Sequence, residues 1–127
     1  MFRFAFLVSA VIFVLIDSMY LSFIQTFFNE QITRVQGSSM KLNVPALMLS
    51  YIFLILGLNY FIIEPHKSAQ EAFLLGIIIY GVFETTNYAL FKNWSLVTVL
   101  VDTLWGGCSF AITTYLVNIL RKWLPLK

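Results

Sequence analysis

Four stretches of this chain are each about as long as a membrane is thick and almost empty of charge, and this constrains the fold more than any other feature. A helix needs about 20 mostly apolar residues to cross the hydrocarbon core of a bilayer. Runs of this kind lie at about 4–24, 44–63, 72–91 and 97–119. The first, FAFLVSAVIFVLIDSMYLSFI, is interrupted only by Asp17, and the second has no acidic or basic residue before Glu64. The third carries Glu84 and the fourth Asp102. Composition removes the alternatives. Charged residues make up 11% of the chain and hydrophobic ones 60%, whereas a soluble domain is about 25% charged. Too little polar surface is left for a soluble enzyme or a disordered tail, and a net charge of +2 is too small for a basic nucleic-acid binder. The expected fold is an all-α membrane protein, an antiparallel four-transmembrane-helix bundle in one integral membrane domain over residues 1–127.

The segments between the runs set the topology. The first apolar run is longer than the roughly 7–15 residues of a signal-peptide core, and no small-x-small site follows it, so it is expected to be a retained span. Residues 25–43 form the longest connection. Phe28, Ile32 and Val35 recur there at i, i+4 and i+7, which predicts that its first half extends the first helix along the interface. Gly37, Ser38 and Ser39 then break it. Pro45 suits the first turn of the second helix, and Pro65 ends that helix near Glu64. The turn KNWS, Lys92 to Ser95, is so short that the third and fourth helices must be antiparallel neighbours. No internal repeat or low-complexity tract is present.

Lysines and arginines give the orientation. Arg3, Lys67, Arg121, Lys122 and Lys127 fall on the side of the termini and second connection, against Arg34, Lys41 and Lys92 on the other. Both termini are therefore expected in the cytoplasm.

Acidic side chains within a span cost roughly 2.5–3.5 kcal/mol each on insertion scales. Here there are three, Asp17, Glu84 and Asp102, with no lysine or arginine at matching depth. At about 1.5 Å of rise per residue, all three fall roughly 3–8 Å from the midplane, displaced toward the first and third connections. Each lies on a polar face. On the fourth helix Thr98, Asp102, Trp105 or Gly106, Ser109 and Thr113 recur at helical spacing. On the third, Tyr80, Glu84, Asn87 and Phe91 do so, with Thr85 and Tyr88 flanking, and on the first Ser9, Phe13, Asp17 and Tyr20. In lipid such stripes face the other helices. The second helix offers Ser50 and Gly57 as small residues for close approach, with Asn59 and Tyr60 nearby.

Structural roles compete with these readings. Ser, Thr, Gly and Asn in membrane helices commonly serve as packing contacts. Trp94 and Trp123 read as interfacial anchors and Trp105 as facing the bundle. His66 reads as solvated, Cys108 as a small buried apolar residue, and the triplet Asn93-Trp94-Ser95 lies too close to the membrane for a glycosylation site. The acids resist a bland reading best: three carboxyls converging without a basic partner repel one another when ionised, so a proton held among them is expected.

The stretch YGVFETTNYALFKNWSLVTVLVDTLWGG, Tyr80 to Gly107, resembles the domain-of-unknown-function 2177 family of small membrane proteins. The resemblance rests on Tyr80-Gly81, Glu84, Thr86-Asn87, Trp94, and Asp102, Trp105 and Gly106, with length, span number and the Asp of the first helix also fitting. The acidic position is more familiar in that family as Asp, so Glu84 is a departure. The resemblance implies a four-helix membrane fold and no named activity. In architecture alone the chain is also similar to the small multidrug-resistance transporters, although the local motifs differ.

The leading functional expectation is conduction or transport of a proton or small cation, in a homo-oligomer or larger membrane complex. Glu84 and Asp102 would exchange protons or coordinate the ion, and Asp17 would complete the site. Tyr80, Asn87 and Trp105 would shape it, with Thr86 and Thr98 as further polar lining. The alternatives are binding of a lipid or amphipathic ligand, for which the 17% aromatic content leaves room, and a structural role in a larger membrane assembly. No His lies in a span, and neither HEXXH, CxxC nor a nucleophile elbow occurs, so nothing points to an enzyme or a cofactor. Three carboxyls leave Ca²⁺, Mg²⁺ or Mn²⁺ as a conceivable metal. No nucleic-acid partner is expected.

Overall fold

In the computed structural model, which describes residues 4–124, the chain forms α1 (Phe4–Gln36), α2 (Val44–Leu58), α3 (Ala69–Leu90) and α4 (Leu96–Trp123), and α2 is continued by a π-helical turn, Asn59–Ile63. Arg3 and Lys127, two of the cations used for orientation, lie outside the described residues. All four helical segments, α2 with its π-turn included, are long and apolar enough to span a bilayer. The protein is an all-α, four-helix membrane bundle.

Helix ends follow their local chemistry. Asn43 accepts from the Ala46 amide at 3.1 Å, with Pro45 in the first turn, and so starts α2. A reciprocal capping box starts α3, with Ser68 Oγ accepting from the Glu71 amide at 3.2 Å and Glu71 Oε2 from the Ser68 amide at 3.1 Å. This box places the start of α3 at Ala69 rather than 72. Ser95 caps α4, accepting from the Val97 amide at 3.1 Å. Gly37, at φ 78°, takes the left-handed conformation that ends α1.

The expected extension of the first helix is present. At 33 residues α1 is about 50 Å long, so its C-terminal turns project past a hydrocarbon core of about 30 Å. Phe28, Ile32 and Val35 are half-buried on that extension.

Helix α4 is the centre of the bundle, with α3 and α1 packed against it. Its buried set includes Thr98, Asp102, Gly106, Ser109 and Thr113, the polar stripe read from the sequence. Glycines let α3 and α4 approach closely. A Cβ on Gly76 would lie 2.1 Å from the Gly106 carbonyl oxygen, and one on Gly106 would lie 2.2 Å from Tyr80 Cγ. Close approach on α2 does not occur where it was expected. Ser50 is exposed and donates to its own helix at Leu47 O, and a Cβ on Gly57 would meet nothing within 4 Å. Instead α2 turns Tyr51, Leu54, Ile55, Leu58 and Ile62 toward the core. Phe13 and Phe110, both fully buried, meet edge to face in that core at 5.6 Å. The outer surface is apolar, with Phe23 88% and Trp123 81% exposed, as suits acyl chains and not water.

Candidate functional site

The three intramembrane acids face inward, and each is buried. Asp17, on α1, takes two donors: Trp105 Nε1 of α4 gives a bond to Oδ1 at 2.9 Å, and the Tyr51 hydroxyl of α2 gives a bond to Oδ2. Asp102, on α4, accepts from the Tyr20 hydroxyl of α1 at 3.2 Å. Glu84, on α3, accepts from Trp94 Nε1 at 2.9 Å. The rings of Tyr20 and Trp105 stack at 4.5 Å, only 3° from parallel. One continuous network results, from Tyr51 and Asp17 through the Trp105–Tyr20 stack to Asp102, Glu84 and Trp94. Every donor bonded to these carboxyls is a tyrosine or a tryptophan.

The network divides into two parts. The Glu84 and Asp102 carboxyls are close enough to interact with each other, and Glu84 Oε2 is buried with no donor reaching it. Unpartnered buried polar atoms are costly, and a proton on either carboxyl would give the pair its missing donor. Asp17, by contrast, has both oxygens occupied. Among the described residues, no group of three or more His, Cys, Asp or Glu side chains is placed to hold a metal ion.

The other expected site residues divide as well. Trp105 bonds Asp17, and the Tyr80 ring packs over Gly106 and edge-on to Phe110 at 6.4 Å. Thr98 is fully inside but donates to Gln31 Oε1 at 3.1 Å and not to a carboxyl. Asn87 is half-buried, with its carbonyl accepting from the Phe91 amide. Thr86 is exposed. Thr86, two residues from Glu84, lies on the far side of α3, whereas Asn87, three residues on, lies at the edge of the face that carries Glu84.

Trp94 corrects an expectation: it is not an interfacial anchor but is 7% exposed, its indole aimed at Glu84. An indole in a turn after an apolar helix has the same sequence signature in either role, because it needs one apolar face and one partner for its N–H. Trp123 is exposed, as an anchor should be. Cys108 is half-buried.

Residues 2–119 match the domain-of-unknown-function 2177 family, described as a predicted membrane protein. The chain belongs to that family. No curated protein and no solved structure matches it. Within this 2177-family chain, most of the residues that carried the resemblance meet in space, while Thr86 is exposed. Tyr80 packs on Gly106, Trp94 bonds Glu84, Glu84 faces Asp102, and Trp105 bonds the Asp of the first helix.

Besides Trp94, Tyr51 in the network and Gln31 outside it were missed from the sequence. Tyr51 looks like one of several aromatics on an apolar helix, and only its contact with Asp17 distinguishes it. Gln31 lies in a segment that reads as a polar connection, yet it is fully buried with three hydrogen bonds. Its position one residue before Ile32, on the extension already expected to be helical, was the available signal.

Proposed function

We propose that this integral, multi-pass membrane protein exchanges protons at the Glu84–Asp102 pair, as part of proton conduction or proton-coupled transport. The observation that carries this reading is Glu84 Oε2, buried without a donor on a side chain whose carboxyl interacts with that of Asp102. Such a pair gains a hydrogen bond by taking up a proton and loses it on release, which is the behaviour of a proton-exchanging site.

The donor inventory favours a proton over a metal cation. Of the six carboxyl oxygens, four accept from Tyr or Trp: both of Asp17, one of Asp102 and one of Glu84. A hard cation takes about six oxygen ligands, and among the described residues no three acidic side chains are placed to hold one. Asp17 then serves as a fixed anchor that sets the Tyr20–Trp105 stack against Asp102. The weak Lys/Arg bias supports cytoplasmic termini, and a homo-oligomer would widen a pathway that four helices barely enclose.

The test is flux. Purified protein in liposomes containing a pH-sensitive dye is exposed to a pH step, with and without a potential. Wild type should equilibrate protons faster than empty liposomes, and Glu84→Gln and Asp102→Asn should abolish the difference. Variants that conduct like wild type would sink the proposal.

A second reading has one observation in its favour. An open groove of about 570 Å³ runs between α3 and α4, lined by Ile77, Ile78, Val82, Leu100 and Leu104 around Gly81. It suits a lipid acyl chain, and lipid retained through purification and identified by mass spectrometry would support that reading.

A further inference from the structure

The turn between α3 and α4 is gripped by α1. Gln31 Nε2 donates to Asn93 O at 2.7 Å, and Gln31 Oε1 accepts from the Ser95 amide at 2.8 Å and from Thr98 Oγ1 at 3.1 Å. Asn93 Nδ2 reaches back to Arg34 O at 3.5 Å. Gln31 is fully buried by these contacts. Trp94 sits between two of the residues so held, and it is the side chain that covers Glu84. The indole that bonds Glu84 is therefore fixed at its backbone by Gln31, at the end of the bundle nearer the carboxyl pair.

The pair is far closer to this end than to the other. Glu84 is six residues before Leu90, where α3 ends, and Asp102 six after Leu96, where α4 begins. Both are thus about 9 Å along the helix axes from the turn. In the other direction α4 continues 21 residues past Asp102 to Trp123, about 32 Å. The interior there is closed by Phe13 and Phe110, with Tyr51 edge-on to Phe13 and Tyr80 edge-on to Phe110. The overhang of α1 brings Gln31 to the level of the turn.

We propose that Glu84 exchanges with water through the α3–α4 turn, on the side of the α1–α2 and α3–α4 connections, and that Gln31 is the latch that keeps this route shut. The inference rests on reading Glu84 as the proton site and adds the route and its control. When the three Gln31 bonds break, residues 93–95 lose their tie to α1, Trp94 is free to swing from Glu84, and the carboxyl meets solvent. Restoring the bonds closes it. The Phe13–Phe110 layer stays shut throughout.

Access is measured apart from flux. Protein in lipid nanodiscs is treated with a water-soluble carbodiimide and an amine, and amide formation at Glu84 is followed by peptide mass spectrometry. Gln31→Leu, which removes all three bonds, should label about tenfold faster than wild type. Gln31→Glu, of nearly equal shape, keeps the acceptor for Ser95 and Thr98 but loses the donor to Asn93, and should also label faster. Ser50→Ala, on the exposed face of α2, should label like wild type. In the unmodified chain, hydrogen exchange at the Ser95 amide reports latch opening directly, so labelling of Glu84 should never outrun it. Labelling that outruns Ser95 exchange overturns the route. Equal labelling of wild type and both Gln31 variants also overturns it, as does labelling raised by Phe13→Ala alone. These results stand whatever the flux assay gives, because labelling needs no transport.

Discussion

Replacing Gly76 with alanine tests whether α3 and α4 are held as closely as the site requires. The new Cβ would sit 2.1 Å from Gly106 O, 2.6 Å from Gly106 C and 2.9 Å from Gly107 Cα. An unstrained contact needs about 3.5 Å, so the helices must part by roughly 1 Å or more. All three neighbours are backbone atoms, and no rotamer change relieves the clash. Overpacking typically costs about 1–3 kcal/mol, and this case belongs at the upper end, about 3 kcal/mol. The gain in helix propensity is at most about 1 kcal/mol, and less where the denatured state in detergent keeps its helices. Gly76→Ala should therefore be destabilised by at least about 2 kcal/mol. The same chain supplies its control. A Cβ on Gly57 meets nothing within 4 Å and one on Gly81 meets only Thr103 Cγ2 at 3.6 Å, an ordinary contact. Gly57→Ala should range from neutral to about 1 kcal/mol more stable, and Gly81→Ala should stay close to wild type. Unfolding in mixed micelles, titrated with a denaturing detergent and read by tryptophan fluorescence, separates the variants. If Gly76→Ala and Gly57→Ala unfold within about 1 kcal/mol of each other, where the sum above requires about 3, the helix pair is not packed on its glycines and the reasoning fails.

Trp94→Phe keeps an aromatic ring, though a smaller one, but removes the donor to Glu84, and should destabilise by about 2 kcal/mol. Adding Glu84→Gln to that variant should cost less than Glu84→Gln does alone, and a double-mutant cycle in the same titration reads the coupling. Ser68→Ala breaks the capping box at the start of α3 and should cost about 1 kcal/mol, with hydrogen exchange accelerated at the amides of residues 69–72. A loss that spread evenly over α3 would refute a local capping role.

The spans were legible because lipid imposes a single rule: charge-poor runs of sufficient length must be helices with their polar groups turned inward. The face Ser9, Phe13, Asp17, Tyr20 and the stripe from Thr98 to Thr113 both appear inside as read. Boundaries were less legible where polar side chains set them. The start of α3 moved three residues because Ser68 and Glu71 cap each other, a pattern that the sequence does contain. The small residues of α2 misled because size alone does not say which face meets a partner. Ser50 satisfies its hydroxyl on its own backbone, and that removes any need to face inward. The close approach falls at Gly76 and Gly106, where Tyr80 covers the gap.

At the candidate site, depth could be read from helix direction and rise, but pairing could not. Three carboxyls at one level allow three pairs, and what separates them is the supply of donors. Asp17 lies between Tyr51 of α2 and Trp105 of α4, so both of its oxygens are bonded and it makes no demand for a shared proton. Tyr20 and Trp94 supply one donor each to Asp102 and Glu84, which leaves Glu84 Oε2 buried without a donor and Asp102 as its acidic neighbour. None of those donors lies within one helical turn of the acid it serves, so periodicity along a single helix carries no trace of them. Trp94 comes nearest, ten residues from Glu84, and reaches it only because the turn reverses the chain within residues 91–95. The length of the Glu84 side chain then has a mechanical sense. The extra methylene extends the carboxyl, and the two atoms it has to reach, the Trp94 indole and the Asp102 carboxyl, lie on the next helix and at its entrance. Shortening it with Glu84→Asp would loosen at least one of those contacts, while Glu84→Gln keeps the reach and removes the charge. Reach and charge at this position are therefore separable by experiment.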